Sequence, residues 1–262
     1  MTDEKGRDLK AKNAIITGAS KGIGKAIAAR LMQEGINVVL AARTQSTLDA
    51  TVKELNQAHP AEAIGVACDV SKLEDLQNLV KVTLDKFKRI DILINNAGVS
   101  SQHPFEKQPL EDLERLAHTN YLGYVRLTRL VIGHMIENKA GNIINMVSGS
   151  VLVEPVPRSF LAYSSLKVGL RAFSKGLFWE MRDHGIKVTA ILPGVTDTDL
   201  TGKLAEITEE QKQRLISPQC IVDAVMFSLN VPQNACPLEL AVINQQTPWT
   251  KPVIPFAQQH PK

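Results

Sequence analysis

One stretch near the amino terminus, Ala14-Ile15-Ile16-Thr17-Gly18-Ala19-Ser20-Lys21-Gly22-Ile23-Gly24, constrains the rest of the chain most. Its short apolar run reads as a buried strand. Three glycines then make a turn, and Lys25-Ala26-Ile27-Ala28-Ala29-Arg30-Leu31-Met32 continues as an alanine-rich helix. Strand, glycine turn and helix together present free backbone N–H groups to a phosphate at a helix N-terminus. Gly18 and Gly22 take backbone angles that other residues resist, and their missing side chains let a ligand approach the main chain. The alternative is an ordinary strand-to-helix turn that is rich in glycine. The dinucleotide reading sets Gly18, Ser20, Lys21, Gly22, Ile23 and Gly24 around the ligand.

The remaining sequence alternates strand and helix. Strands are predicted at 14–17, 37–41, 63–67, 90–95, 142–147, 187–192 and 239–243, and helices at 22–34, 45–58, 72–88, 109–137, 162–183 and 219–230. This alternation implies an α/β fold, a Rossmann-type doubly wound parallel sheet of about seven strands covered on both faces. The 262 residues suit a single domain over 1–262, and no linker, repeat or low-complexity tract divides them. A net charge of +3 and no block of like charges give no reason to expect nucleic acid. Cys68, Cys220 and Cys236 stand far apart, and His103 and His134 lack a neighbour at ligand spacing, so no metal site is expected. The charged start lacks the apolar core of a signal peptide, and no run reaches the ~20 apolar residues of a membrane span. A soluble cytoplasmic protein is the expectation.

Several strand ends carry candidate ligand contacts. The second ends in Ala41-Ala42-Arg43, where an NAD site usually places an acid on the ribose 2′-hydroxyl. Arg43 and Lys21 converging on one place suit a 2′-phosphate instead, which favours NADP(H). The bland reading has Arg43 pointing into solvent. Asp69 and Val70 follow the third strand. Asp69 either accepts from an adenine amino group or caps the next helix, where Ser71 is the better cap. The fourth strand runs into Asn95-Asn96-Ala97-Gly98. Asn120 falls on the apolar stripe of the 109–137 helix, as structural glue or as part of a site.

The fifth strand leads to Ser148-Gly149-Ser150, and a proline-containing loop then reaches Tyr163-Ser164-Ser165-Leu166-Lys167. Tyr163 and Lys167 lie one helical turn apart on one face. A lysine cation beside a phenol favours the phenolate, and such a tyrosine serves as general acid and base.

Thr-Gly-x-x-x-Gly-x-Gly, Asn-Asn-Ala-Gly and Tyr-x-x-x-Lys together resemble the short-chain dehydrogenase/reductase family over roughly residues 10–200. The resemblance implies that Tyr163 exchanges a proton with the carbonyl oxygen and that Lys167 lowers its pKa and binds the nicotinamide ribose. It further implies a serine that polarises the carbonyl and a relay water held with the help of Asn120. The family serine usually stands thirteen positions before the tyrosine, which gives Ser150; the register of the fifth strand gives Ser148. Ser148 is preferred, because strands resist insertion better than loops. Pro193-Gly194 resembles the family turn beside the nicotinamide, with the Val195 backbone and Thr198 holding the carboxamide; otherwise it is a plain turn.

Residues 199–217, polar with Leu200, Leu204, Ile207 and Leu215, suit an amphipathic lid or a connecting helix. Residues 244–262, with prolines at 248, 252, 255 and 261, read as an extended tail. Its Trp249 and Phe256 either pack on a neighbouring subunit or lie at an exposed tip. The expected activity is NADP(H)-dependent hydride transfer to or from a small-molecule carbonyl or secondary alcohol. A non-catalytic NADP(H)-binding sensor or scaffold is the alternative. A homodimer or homotetramer is implied by the resemblance alone.

Overall fold

The first strand, β1 (Asn13–Thr17), is buried along its whole length. Its alternating side chains therefore feed two cores. On one face Ala14 and Ile16 pack with α1 (Gly22–Gln33), α2 (Gln45–Ala58) and α9 (Pro218–Asn230). On the other Ile15 packs with α3 (Leu73–Phe87), α5 (Gly123–Glu137) and α6 (Leu161–Met181). Each fully buried aliphatic side chain contributes about 1.5–3 kcal/mol over exposure. A strand apolar on both sides is thus stable only at the centre of a covered sheet.

The computed structural model, which describes residues 9–154, 156, 158–202 and 208–248, shows that sheet. The remaining strands are β2 (Asn37–Ala42), β3 (Ala63–Ala67), β4 (Ile92–Asn95), β5 (Gly141–Met146), β6 (Ile186–Pro193) and β7 (Glu239–Val242). All pair in parallel, in the order β3-β2-β1-β4-β5-β6-β7. The winding reverses between β1 and β4, and ligands of open α/β sheets bind in the crevice beyond the strand ends at such a point.

Two loops are joined at that reversal. The Thr17 hydroxyl accepts the N–H groups of Asn96 (2.9 Å) and Ala97 (3.0 Å), and the Asn96 amide donates to the carbonyls of Thr17 (2.9 Å) and Gly18 (3.2 Å). The glycines serve this packing as well as any ligand. A Cβ on Gly18 would stand 2.8 Å from the Ala97 Cα, and one on Gly24 2.5 Å from the Gly18 carbonyl.

Three predicted elements differ in detail. The helix expected over 109–137 is two helices, α4 (Leu110–Ala117) and α5, joined by a π-helical turn, His118–Leu122. Gly123 opens α5 where it passes close to the chain after β3: a Cβ there would meet the Val70 carbonyl at 2.7 Å. Ser71 does not cap α3. It donates its N–H and hydroxyl to Asp69, while Asp75 reaches back to accept the Asp69 N–H at 2.8 Å. The expected lid is not one helix: its described parts are α7 (Asp199–Gly202) and α8 (Glu209–Lys212), the latter opened by a Thr208–Gln211 capping box. Leu204 and Ile207 lie outside the described residues, as do Trp249, Phe256 and the last three prolines. No described helix is long and apolar enough to cross a membrane.

Replacing Thr17 by Val keeps the shape but strips two backbone N–H groups of their acceptor. Thr17→Val is expected to lower stability by roughly 2–4 kcal/mol, read as a reduced midpoint in urea unfolding.

Candidate active site

A cleft of about 1170 Å³ opens along the carboxyl ends of the strands. It is lined by Gly18, Ser20, Lys21, Gly22, Ile23, Arg43, Asp69, Val70, Asn96, Ala97, Gly98, Ser148, Tyr163, Lys167, Pro193, Gly194, Val195 and Thr198. Of the expected catalytic and cofactor-binding residues, Gly24 and Asn120 are the two that do not line it.

Helix α6 places the chemistry. Its inward face carries Ser164, Lys167, Leu170 and Ser174, all buried, so Lys167 is drawn under the sheet end instead of into solvent. The Lys167 ammonium donates to the Met146 carbonyl at 2.8 Å, where β5 ends. Its Nζ also stands 4.9 Å from the centre of the Tyr124 ring and 5.9 Å from that of Tyr163. Only 3% of Lys167 is exposed. Burial lowers its pKa from 10.5 to about 7.

Tyr163 behaves differently from the sequence expectation. Burial pushes its phenol up, and the hydrogen-bonding side chain of Ser148 offsets this only in part. The lysine charge does not make the phenol acidic among these groups, because Nζ is directed to the Met146 carbonyl and over ring faces. The Tyr163 hydroxyl therefore stays protonated at neutral pH, the form that donates a proton.

Both candidate serines line the cleft, and they differ in what they bond. Ser148 is the side chain that reaches Tyr163. It follows Val147, which is still held in the sheet by an N–H bond to the Ile191 carbonyl at 2.8 Å. Ser150 donates its own N–H to the Ser148 hydroxyl at 3.1 Å, and its buried hydroxyl has no partner among the described residues. The segment between β5 and α6 holds two short 3-10 turns, Gly149–Leu152 and Arg158–Phe160.

Asn120 is fully buried in the π-helical turn, and its amide is spent on one residue. It accepts the Val99 N–H at 3.0 Å and donates to the Val99 carbonyl at 2.8 Å. Its side chain is thus the structural glue that one reading of the helix stripe expected. The Val195 backbone is likewise occupied, since its N–H and carbonyl both bond the Asn244 amide. The main chain of Val195 is therefore not open to a carboxamide as expected. Thr196, the next residue of the turn, lines the cleft and was not singled out in the sequence.

At the opposite end of the cleft, Arg43 is exposed and close enough to Asp69 to help lower the Asp69 pKa. Lys21 pairs with Asp199 of α7 at 2.6 Å, both side chains being well exposed. Ser20, Thr44 and Thr47 line the cleft beside them. Cys68, also on the wall, is buried with its thiol pushed up to about 12, which leaves it unreactive. His134 accepts the Ile90 N–H at 3.3 Å, and His103 lies 3.8 Å from Asp112. No group of three metal-ligating side chains occurs among the described residues.

Some wall residues escaped the sequence reading. Phe160 meets the Tyr163 ring edge-on at 6.3 Å, and Ser100, Val153, Thr247 and Pro248 also line the cleft. Phe160 stands one turn before Tyr163, a spacing that could have revealed it. The others lie in loops without periodicity.

An open parallel sheet with this strand order, a glycine turn at the winding reversal, and a Ser–Tyr–Lys set in one cleft define a nucleotide-binding oxidoreductase scaffold. The chain belongs to the short chain dehydrogenase family, whose model matches residues 12–209. It is 37% identical over 198 residues to a 3-oxoacyl-[acyl-carrier-protein] reductase of Synechocystis, covering 75% of this chain and 78% of that one. Among solved structures it is similar to an alcohol dehydrogenase of Thermococcus sibiricus complexed with 5-hydroxy-NADP (TM-score 0.80, 28% identity, 88% and 95% of the two chains). It is similar also to a 3-ketoacyl-(acyl-carrier-protein) reductase of Brucella melitensis complexed with NADH (TM-score 0.81, 28% identity, 89% and 97%). The chain is thus an oxidoreductase of the hydride-transferring kind.

The burial of Lys167 has a measurable consequence. Between pH 7 and 10.5 the unfolded chain holds the lysine proton and the native protein does not, so stability from this group rises with pH across that window. The stability difference between wild type and Lys167→Met is therefore expected to shift in favour of wild type from pH 7 to 9.5. Chemical denaturation at stepped pH checks it.

Proposed function

We propose that the protein is an NADP(H)-dependent oxidoreductase acting on a carbonyl or secondary alcohol, with Tyr163 as the general acid/base. The observation that carries this reading is the meeting of Ser148, Tyr163 and Lys167 at one end of a cleft whose other end holds Ser20, Lys21 and Arg43. The cofactor fits what the structure presents: Gly18, Gly22 and Ile23 line the cleft where α1 begins, and a Cβ on Gly22 would meet only Thr198, at 3.6 Å, so a pyrophosphate can approach the N-terminus of α1. Asp69 and Val70 wall the adenine side, and Asn96, Ala97 and Gly98 the central trough. When bound, the nicotinamide supplies or accepts the hydride.

The residues of the chain do the rest. Ser148 donates a hydrogen bond to the substrate oxygen and orients it. Tyr163 delivers its proton to that oxygen as the carbonyl is reduced, or removes it in the reverse direction. A phenol kept protonated by burial favours reduction. Lys167, fixed by Met146, stands ready for the ribose hydroxyls. Asn120 holds the Val99 segment of the cleft wall through both groups of its amide.

The preference for NADP(H) over NAD(H) rests on the 2′-phosphate end. No acid ends β2, and Arg43 and Lys21 supply cations there. The Lys21–Asp199 pair is exposed, so it resists competition by a phosphate only weakly. Exposed Leu110, Leu161, Val168 and Trp179 on α4 and α6 fit a homo-oligomer. The composition fits a cytoplasmic one.

Turnover is measured as NADPH absorbance loss against a panel of ketones and 3-oxoacyl thioesters. Tyr163→Phe is expected to reduce kcat/KM by roughly 10²–10⁴-fold with cofactor binding retained. Equal turnover by the variant would remove the acid role, and binding without turnover by wild type would favour the sensor reading. Arg43→Ala is expected to raise KM for NADPH by about tenfold, the worth of one charge-assisted contact, and to leave KM for NADH nearly unchanged.

A further inference from the structure

Asn244 follows β7 and belongs to the segment that reads from sequence as a tail. Its half-buried amide instead sits where three segments meet. The oxygen accepts the Val195 N–H at 2.8 Å, and the nitrogen donates to the carbonyls of Val195 (2.9 Å) and Arg214 (2.9 Å). Val195 belongs to the turn after β6, and Arg214 to the segment returning from α8. That segment itself pairs with the turn, through the Ile216 N–H on the Val195 carbonyl (3.0 Å) and the Asp197 N–H on the Ile216 carbonyl (2.9 Å). Gly194 is adapted to the arrangement, because a Cβ there would lie 2.5 Å from the Asn244 oxygen.

The donors and acceptor of a primary amide lie in one plane with fixed polarity. Here they satisfy both main-chain groups of Val195, which fixes the course of the turn into Thr196 and Thr198 on the cleft wall. We propose that Asn244 is a positioning residue for the nicotinamide end of the cofactor. It holds the Pro193–Thr198 turn in its receptive shape and couples that turn to the segment that follows α8. This inference rests on the cofactor reading above. It concerns one half of the dinucleotide only, since the adenosine end lies against Ser20, Lys21 and Arg43, which Asn244 does not touch.

That separation supplies the test. Calorimetric titrations of wild type, Asn244→Ala and Asn244→Asp are run with NADPH and with 2′,5′-ADP, which lacks the nicotinamide half. At pH 7.5 the alanine variant is expected to bind NADPH several-fold more weakly, and the aspartate variant on the order of tenfold or more, because its carboxylate faces two carbonyls. Binding of 2′,5′-ADP is expected to stay within about twofold of wild type in both. Lowering the pH toward the carboxyl pKa returns a donor to the aspartate variant, and its NADPH affinity is expected to recover in part relative to the alanine variant. Should the aspartate variant fail to fold, Asn244→Ser, which retains a short donor and acceptor, takes its place with an intermediate loss expected. Unchanged NADPH affinity in the variants, or equal losses for both ligands, overturns the positioning role while the cofactor reading stands. Wild-type protein that binds neither nucleotide overturns both.

Discussion

A single backbone carbonyl, that of Met146 at the end of β5, fixes the chemical end of the cleft. It accepts the Lys167 ammonium at 2.8 Å and the Tyr124 hydroxyl at 3.4 Å. Through Lys167 it sets the depth and rotation of α6, and hence the position of Tyr163 one turn earlier. The cost of that arrangement is a lysine taken out of water, and its depressed pKa measures the cost. The site is built on the end of β5 and on the 21-residue α6.

The same economy operates at the winding reversal. Thr17 and Asn96 bind the glycine turn to the segment after β4, so two sequence motifs that look independent are one packed unit. Gly18 and Gly24 are demanded by this contact before any ligand arrives. Behind it a buried polar chain crosses the sheet: Asn95 donates to Asn145 at 2.9 Å, and Asn145 to Ser174 at 2.9 Å. Fully satisfied networks of this kind specify one packing in preference to others. Asn120 adds a further tie, to Val99. Polar side chains in this protein thus set the geometry of the walls.

Most of the sheet was legible because apolar runs of four to six residues, each followed by a helix-period segment, admit few arrangements. The place of Ser148 directly after β5 was legible from strand register. Other features were hidden for identifiable reasons. The π-helical turn at His118–Leu122 breaks no hydrophobic pattern, since its stripe continues into α5. The direction of the Tyr163 shift was misjudged because helical spacing places Lys167 beside the ring but does not say where Nζ points. The Val195 backbone was assigned to the ligand because an amide 49 residues away in sequence cannot be paired with it by spacing. Ser71 looked like a helix cap, and only the fold shows Asp69 competing for its hydroxyl.

The account stands or falls on whether one bound dinucleotide spans the cleft from Arg43 to Tyr163. A crystal structure of the protein with NADPH measures this directly. The expected result has the 2′-phosphate beside Arg43 and Lys21, the pyrophosphate over the N-terminus of α1, and the nicotinamide next to the Tyr163 hydroxyl. A nicotinamide lying outside the cleft, or a reversed dinucleotide with its adenine at Tyr163, would contradict it.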